Sequence, residues 1–417
     1  MSRTFQSFAI GNYRLLFAGI LFAAVGMWMQ ILAQDWLVLT ELTDHDATQV
    51  GIVTALQFLP QLILSPWAGL LADRVDRRRL LYVTQLASAA SALVLGLLVI
   101  SGIVQLWHVY LLALVVGTVS SLDGPARMTF VSEVVPKTHL ANAVGLNATA
   151  FHSARLVGPA VAGFVIDWAG TGWVFIINAA LYIVPPATLA LMKASEFQPR
   201  TVTPKAKGQI REGIAYVRSR PEIIMVFLAV AVVAGLGLNL QMTSAFMATE
   251  VYNKQASEYG ILGSFIAIGG VLGSLIAARR RAPRLRTVVL AAAGFGIAET
   301  ALALAPTFEA FMLLAIPTGF MSLTMMTSAN ALVQLTADEH IRGRVMSLYG
   351  MIFLGTSPIC SPFVGWVAEA LGARWSILVG SLSSIAVAIV VGIWAYLWRK
   401  SQGITPTLFE LPRRRAS

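Results

Sequence analysis

Cysteine is all but missing from this 417-residue chain, where Cys360 stands alone. One thiol cannot close an intramolecular disulfide, and no Cys/His spacing suited to a metal ion is present. Charge is scarce as well. Charged residues make up 12% of the sequence, against about 25% in an ordinary soluble domain. The common signatures of soluble catalysis are also missing. There is no Gly-Lys-Ser/Thr phosphate loop, no His-Glu-x-x-His and no Gly-x-Ser-x-Gly. The chain therefore has no phosphate-loop route to ATP hydrolysis. It reads as a protein that is not an enzyme and that needs neither cofactor nor metal.

Apolar sequence takes the place of these features. Hydrophobic residues are 57% of the chain, and the mean hydropathy is +0.74. No globular core needs that much. Each helical crossing of a bilayer takes about 20 apolar residues, and the chain has room for roughly a dozen with short loops. The expected spans are 14–40, 48–72, 80–102, 106–129, 140–168, 172–193, 221–248, 256–278, 286–305, 308–335, 343–370 and 374–398. Strands are not expected, because these runs lack period-two alternation. The N-terminal run, from near Leu15, is too long for a signal-peptide core and lacks a small-residue cleavage site, so it is expected to stay as the first span.

The net charge of +10 would fit nucleic-acid binding in a soluble protein. Here the basic residues lie in short loops between apolar runs, without interleaved aromatics, so the expected partner is the lipid bilayer and not nucleic acid. Arg74, Arg77, Arg78 and Arg79 occupy the 2–3 loop, and Arg279, Arg280, Arg281, Arg284 and Arg286 the 8–9 loop. Lys137, the segment 194–220, Arg342, Arg344 and the tail fall on the same side. The opposite loops hold only Lys254 and Arg374. Basic loops stay inside, so the spans are even in number and both termini are cytoplasmic.

The sequence also repeats itself. Gly117, Val131, Gly163, Gly170 and Trp173 recur 202 residues later as Gly319, Val333, Gly365, Gly372 and Trp375. Two six-helix bundles of the same orientation follow, 1–193 and 221–398. They are joined by a linker at 194–220 and followed by a tail at 399–417. Within the linker, Ile210, Ile214 and Val217 share a face, as in a helix lying on the membrane surface.

The 2–3 hairpin reads Gly-Leu-Leu-Ala-Asp-Arg-Val-Asp-Arg-Arg-Arg-Leu-Leu over 69–81. It resembles the loop between helices 2 and 3 of the major facilitator superfamily (MFS), G-x-L-x-D-R-x-G-R-R/K-x-x-L. Gly69, Leu71, Asp73, Arg74, Arg77, Arg78 and Leu81 match, and Asp76 stands where the pattern has Gly. The runs Leu122-Asp-Gly-Pro-Ala-Arg127, Val131-Ser-Glu-Val-Val-Pro136 and Ala154-Arg-Leu-Val-Gly-Pro159 narrow the resemblance to the enterobactin-exporter and macrolide-efflux branch. The resemblance implies an all-α membrane protein of twelve spans in two parallel six-helix bundles. It also implies a bacterial inner-membrane transporter that exports bulky molecules such as drugs, macrolides or siderophores. One departure stands against the classical drug antiporters: 110–121 carries no arginine.

Ionisable residues inside spans are costly and are the first functional candidates. Asp35, Arg155 and Glu299 are the candidates for proton coupling. Asp35 could exchange a proton with the outside or could be a solvated acid at the outer interface. Arg155 could serve coupling or could sit on a kinked packing helix. Gly158, Pro159 and Gly163 form that helix's hinge and resemble an antiporter motif. For the cytoplasmic gate the resemblance implies a latch of Gly69, Asp73, Arg74, Arg77, Arg78, Asp123 and Arg127. Asp73 would face the start of span 11 near Gly343, and Arg77 would pair with Asp123. The same residues could instead serve only topology. By the same resemblance, spans 1, 4, 7 and 10 line a cavity. Its candidates are Trp28, Met29, Gln30, Asn239, Gln241, Met242, Met325, Met326 and Asn330, with His152 beside Arg155. Methionine and aromatic surfaces suit bulky, variable ligands, but such residues also pack helices.

The expected function is a monomeric secondary exporter of a bulky organic molecule, driven by protons through alternating access. A gradient-independent facilitator or importer of the same fold is one alternative. A membrane sensor or lipid-handling protein is the other.

Overall fold

The computed structural model describes residues 3–198, 209–278, 284–338 and 341–402. Side chains are described within these stretches except at 3–4, 65–74, 209–210, 274–275 and 277–278. Among the described residues there are helices and no strands, and twelve helices are long and apolar enough to cross a membrane. They are α1 (Gly11–Leu42), α2 (Ala47–Arg74), α3 (Arg77–Ile100), α4 (Leu106–Val134), α5 (Lys137–Ala169) and α6 (Thr171–Leu191), followed after a short α7 (Gln209–Arg218) by α8 (Pro221–Val251), α9 (Ala256–Ala278), α10 (Leu285–Ala303), α11 (Phe308–Thr336), α12 (Arg342–Leu371) and α13 (Ala373–Ser401).

Local chemistry sets the helix ends. Asp76 caps α3, its carboxylate accepting the Arg79 backbone N–H at 3.0 Å. This explains its place in a motif position otherwise held by glycine: the backbone there has φ −64°, which needs no glycine, and the acid supplies an N-cap. Pro221 opens α8, where its missing N–H costs nothing. Gly170 (φ +90°) separates α5 from α6, and its repeat partner Gly372 (φ +100°) separates α12 from α13.

The chain divides into two units, Met1–Pro204 with Asn253–Ser264, and Lys205–Tyr252 with Phe265–Ser417. In the first, α1 packs on α5 and α6, α2 on α4, and α3 on α4 and α6. A cluster of Tyr13, Leu16, Leu81, Phe130, Val134 and Leu189 fills the end near the 2–3 loop. The Tyr13 hydroxyl donates to the Ala143 carbonyl at 2.9 Å. In the second, α10 packs on α11 and α13, and α12 on α7. Gly213 of α7 sits against Arg344 and Leu348, and Arg344 pairs with Glu212 at 2.5 Å. The linker helix is therefore docked on α12.

The repeat seen in sequence recurs as packing. A Cβ on Gly117 would lie 2.2 Å from the Gln57 carbonyl of α2, and one on Gly319 would lie 2.1 Å from the Ile266 carbonyl of α9. Each unit thus uses the same glycine to bring two backbones together.

Two spans depart from regular winding. Leu37–Leu42 ends α1 as a π-helix, and α8 has π-helical turns at Val233–Gly237 and Met247–Val251. Such turns concentrate at functional sites.

Candidate functional site

Three charged tethers hold α3, α4 and α6 of the first unit. Asp123 of α4 accepts hydrogen bonds from Thr84 Oγ1 at 2.8 Å, Gln85 Nε2 at 2.7 Å and Arg127 Nε at 3.0 Å. Arg77 pairs with Glu133 at the far end of α4. Arg78 donates to the carbonyl of Leu189 at the end of α6 and lies over the Phe197 ring at 5.9 Å.

The expected pair of Arg77 with Asp123 is therefore corrected. Arg77 begins α3 and stands level with the end of α4. Asp123 lies ten residues earlier on α4, about 15 Å deeper, level with Thr84 and Gln85. Glu133 lies in one of the motif runs but received no role from sequence. Only the helix register brings it to Arg77. Gly69, Asp73 and Arg74 have side chains outside the described residues.

The Gly158-Pro159-x-x-x-Gly163 motif positions a second group. A Cβ on Gly158 would fall 2.7 Å from Trp28 Cβ, so the bare glycine lets α1 lie close on α5. Pro159 cannot donate to the carbonyl of Arg155, four residues earlier, and Ser264 Oγ donates to the neighbouring Leu156 carbonyl at 2.6 Å. Gly163 meets the backbone of Ala256 and Ser257. The result brings Arg155 over the Trp28 ring, 5.1 Å from guanidinium to centroid. Phe151 meets Trp28 edge-on at 5.7 Å, and His152 lies 5.9 Å from Phe151.

Arg155 keeps some exposure. Among the described residues it has no hydrogen bond and no ion pair, and the Trp28 indole N–H is buried without an acceptor. An ionised side chain at the middle of a span costs about 2.5–3.5 kcal/mol on insertion scales. A cation–π contact offsets about 0.5–2 kcal/mol of that, which leaves the charge incompletely compensated.

Asp35 and Glu299 are buried acids, one in each unit. Asp35 is buried on α1, 5% exposed, and has no hydrogen bond or ion pair among the described residues. Beside it Trp36 stacks on Tyr259 at 6.2 Å. Glu299 is buried on α10 with Oε2 unpartnered, one residue before Thr300, which bonds Ser381 of α13 at 3.0 Å.

The remaining candidates divide by environment. Met29, Met242 and Met325 are buried. Gln30 accepts from Asn178 Nδ2 of α6 at 2.6 Å. Asn239 follows the broken turn of α8, where it donates to the Gly235 carbonyl at 2.6 Å and accepts from Ser361 Oγ at 2.7 Å. Met326 is buried beneath Tyr349, whose hydroxyl donates to its carbonyl at 3.3 Å. Asn330 and Gln241 are partly exposed.

A family model described as transmembrane secretion effector matches residues 2–406. The multidrug efflux pump Tap of Mycolicibacterium fortuitum is 28% identical over 392 residues, covering 91% of this chain and 95% of that protein. The staphyloferrin A transporter of Staphylococcus aureus is 24% identical over 374 residues, 88% of this chain and 92% of that one. Among solved structures, a bacterial homolog of the lysosomal transporter Spinster in an inward-facing conformation matches with TM-score 0.70 at 14% identity, covering 99% of this chain and 100% of that one. A D-xylose–proton symporter matches with TM-score 0.72 at 13% identity, covering 91% and 96%. These two likenesses bear on the fold alone. The chain is a multi-pass membrane transporter of the efflux or secretion type with a small-molecule substrate, and it belongs to the transmembrane secretion effector family of the major facilitator superfamily.

Proposed function

We propose that this chain exports a bulky organic molecule of drug, macrolide or siderophore type in exchange for protons. It works as a monomer by alternating access, in a bacterial inner membrane with both termini cytoplasmic. The one-sided distribution of basic loops supports the orientation. The observation that carries the coupling is Asp35, a buried acid near the end of α1 with no cation bound to it among the described residues. A carboxyl so placed is free to take up and release a proton as its access to water changes. Glu299 is also a buried acid, but it lies on α10, which packs on α11 and α13, and Asp123 is engaged by Arg127.

Reconstitution in liposomes with an imposed pH gradient tests this. A panel with a macrolide, a siderophore and a bulky carboxylate should include a compound whose movement is driven by the gradient. Equal movement with and without the gradient would mark a facilitator. Failure of the whole panel would overturn the proposed substrate class.

A further inference from the structure

We propose that Arg155 and the Trp28 indole N–H form an anion-recognition subsite, so that the exported molecule carries a carboxylate or similar anionic oxygen group beside an apolar or aromatic body. This deepens the export reading and rests on it.

Two donors lie side by side here. A guanidinium stays charged at any working pH, so Arg155 is a poor proton carrier but a permanent positive charge, here held over the Trp28 ring. Among the described residues no acid reaches it: Asp35 lies seven residues further along α1, Asp123 is engaged by Arg127, and Glu133 by Arg77. The nearby titratable group on its own helix is His152, which is a base. The second donor is the Trp28 N–H, which is buried and lacks an acceptor. A protein-built ion pair would have supplied a carboxylate here. The arrangement instead leaves an unfilled demand for acceptor oxygens next to two aromatic faces, Trp28 and Phe151. Planar guanidinium forks match carboxylates in two-point contact, and the rings offer an apolar surface for the rest of the molecule. A cationic drug would meet repulsion at the same place.

The test is binding, without a gradient, by the full chain in lipid nanodiscs. Three probes share one ring system: 1-pyrenebutyrate, 1-pyrenebutanol and 1-pyrenebutylamine. Energy transfer from tryptophan to pyrene reports occupancy. The wild type should bind the carboxylate at least tenfold more tightly than the alcohol, with the amine weakest. Arg155→Gln should erase that preference and leave alcohol binding within twofold, and Arg155→Lys should keep part of it. Trp28→Phe, which keeps a ring and drops the N–H, should lower the preference several-fold, and it reads the same point if Arg155→Gln does not stay monodisperse. Equal binding of acid and alcohol, preference for the amine, failure of all three probes to bind, or a preference surviving in Arg155→Gln would overturn the subsite. Loss of gradient-driven transport with the carboxylate preference intact would overturn the export reading alone.

Discussion

Arg77 and Glu133, 56 residues apart, form an ion pair that ties the first turn of α3 to the last turn of α4. Both side chains are largely buried, at 9% and 17% exposure. A pair of this kind fixes the register of two helices, and it leaves Asp123 to a separate network with Thr84, Gln85 and Arg127.

The separation has a measurable consequence. In a double-mutant cycle, Arg77→Met with Glu133→Gln should show coupling of about 1 kcal/mol or more. Arg77→Met with Asp123→Asn should be additive within about 0.5 kcal/mol. Denaturant unfolding in mixed micelles measures both. Coupling of Arg77 to Asp123 equal to its coupling to Glu133 would contradict the assignment.

Glycines at helix crossings and glycines in open space give opposite signs for the same substitution. Gly117→Ala, Gly319→Ala and Gly163→Ala each place a Cβ within 2.4 Å of a carbonyl oxygen on a neighbouring helix. Overpacking of this sort costs about 1–3 kcal/mol. Gly124→Ala and Gly145→Ala meet nothing within 4 Å, and removing a helical glycine there gains about 0.5–1 kcal/mol. Thermal denaturation should lower Tm for the first three and leave it unchanged or raised for the last two.

Asn178 and Gln30 separate packing from recognition. Asn178→Leu takes the donor from buried Gln30 Oε1, which costs about 1–3 kcal/mol. Tm should fall while the relative transport rates of different compounds stay the same. A change of substrate preference without loss of stability would place Gln30 in the binding surface instead.

Much of this architecture was legible in the sequence. Apolar runs of span length and arginine-rich loops are one-dimensional signals, and the helices follow them closely: the run expected at 221–248 is Pro221–Val251. The glycine repeat was legible because close helix crossings tolerate no side chain, so Gly117 and Gly319 reappear at equivalent crossings. What escaped depends on register between helices. The loop motif marks Arg77 but does not say that Glu133 stands level with it. Trp28 and Arg155 each stand out by residue type, yet their meeting requires α1 and α5 to approach at Gly158. The π-helical turns of α1 and α8 change the winding without changing hydropathy, so no pattern announces them.

Coupling through Asp35 is the central claim. Proteoliposomes carrying wild type or Asp35→Asn, assayed for efflux of one transported compound at two outer pH values, test it most directly. Wild-type efflux should rise as the outer pH falls, and Asp35→Asn should lose this dependence while still exchanging substrate for substrate at equilibrium. Efflux by Asp35→Asn that keeps the wild-type response at both pH values would contradict it.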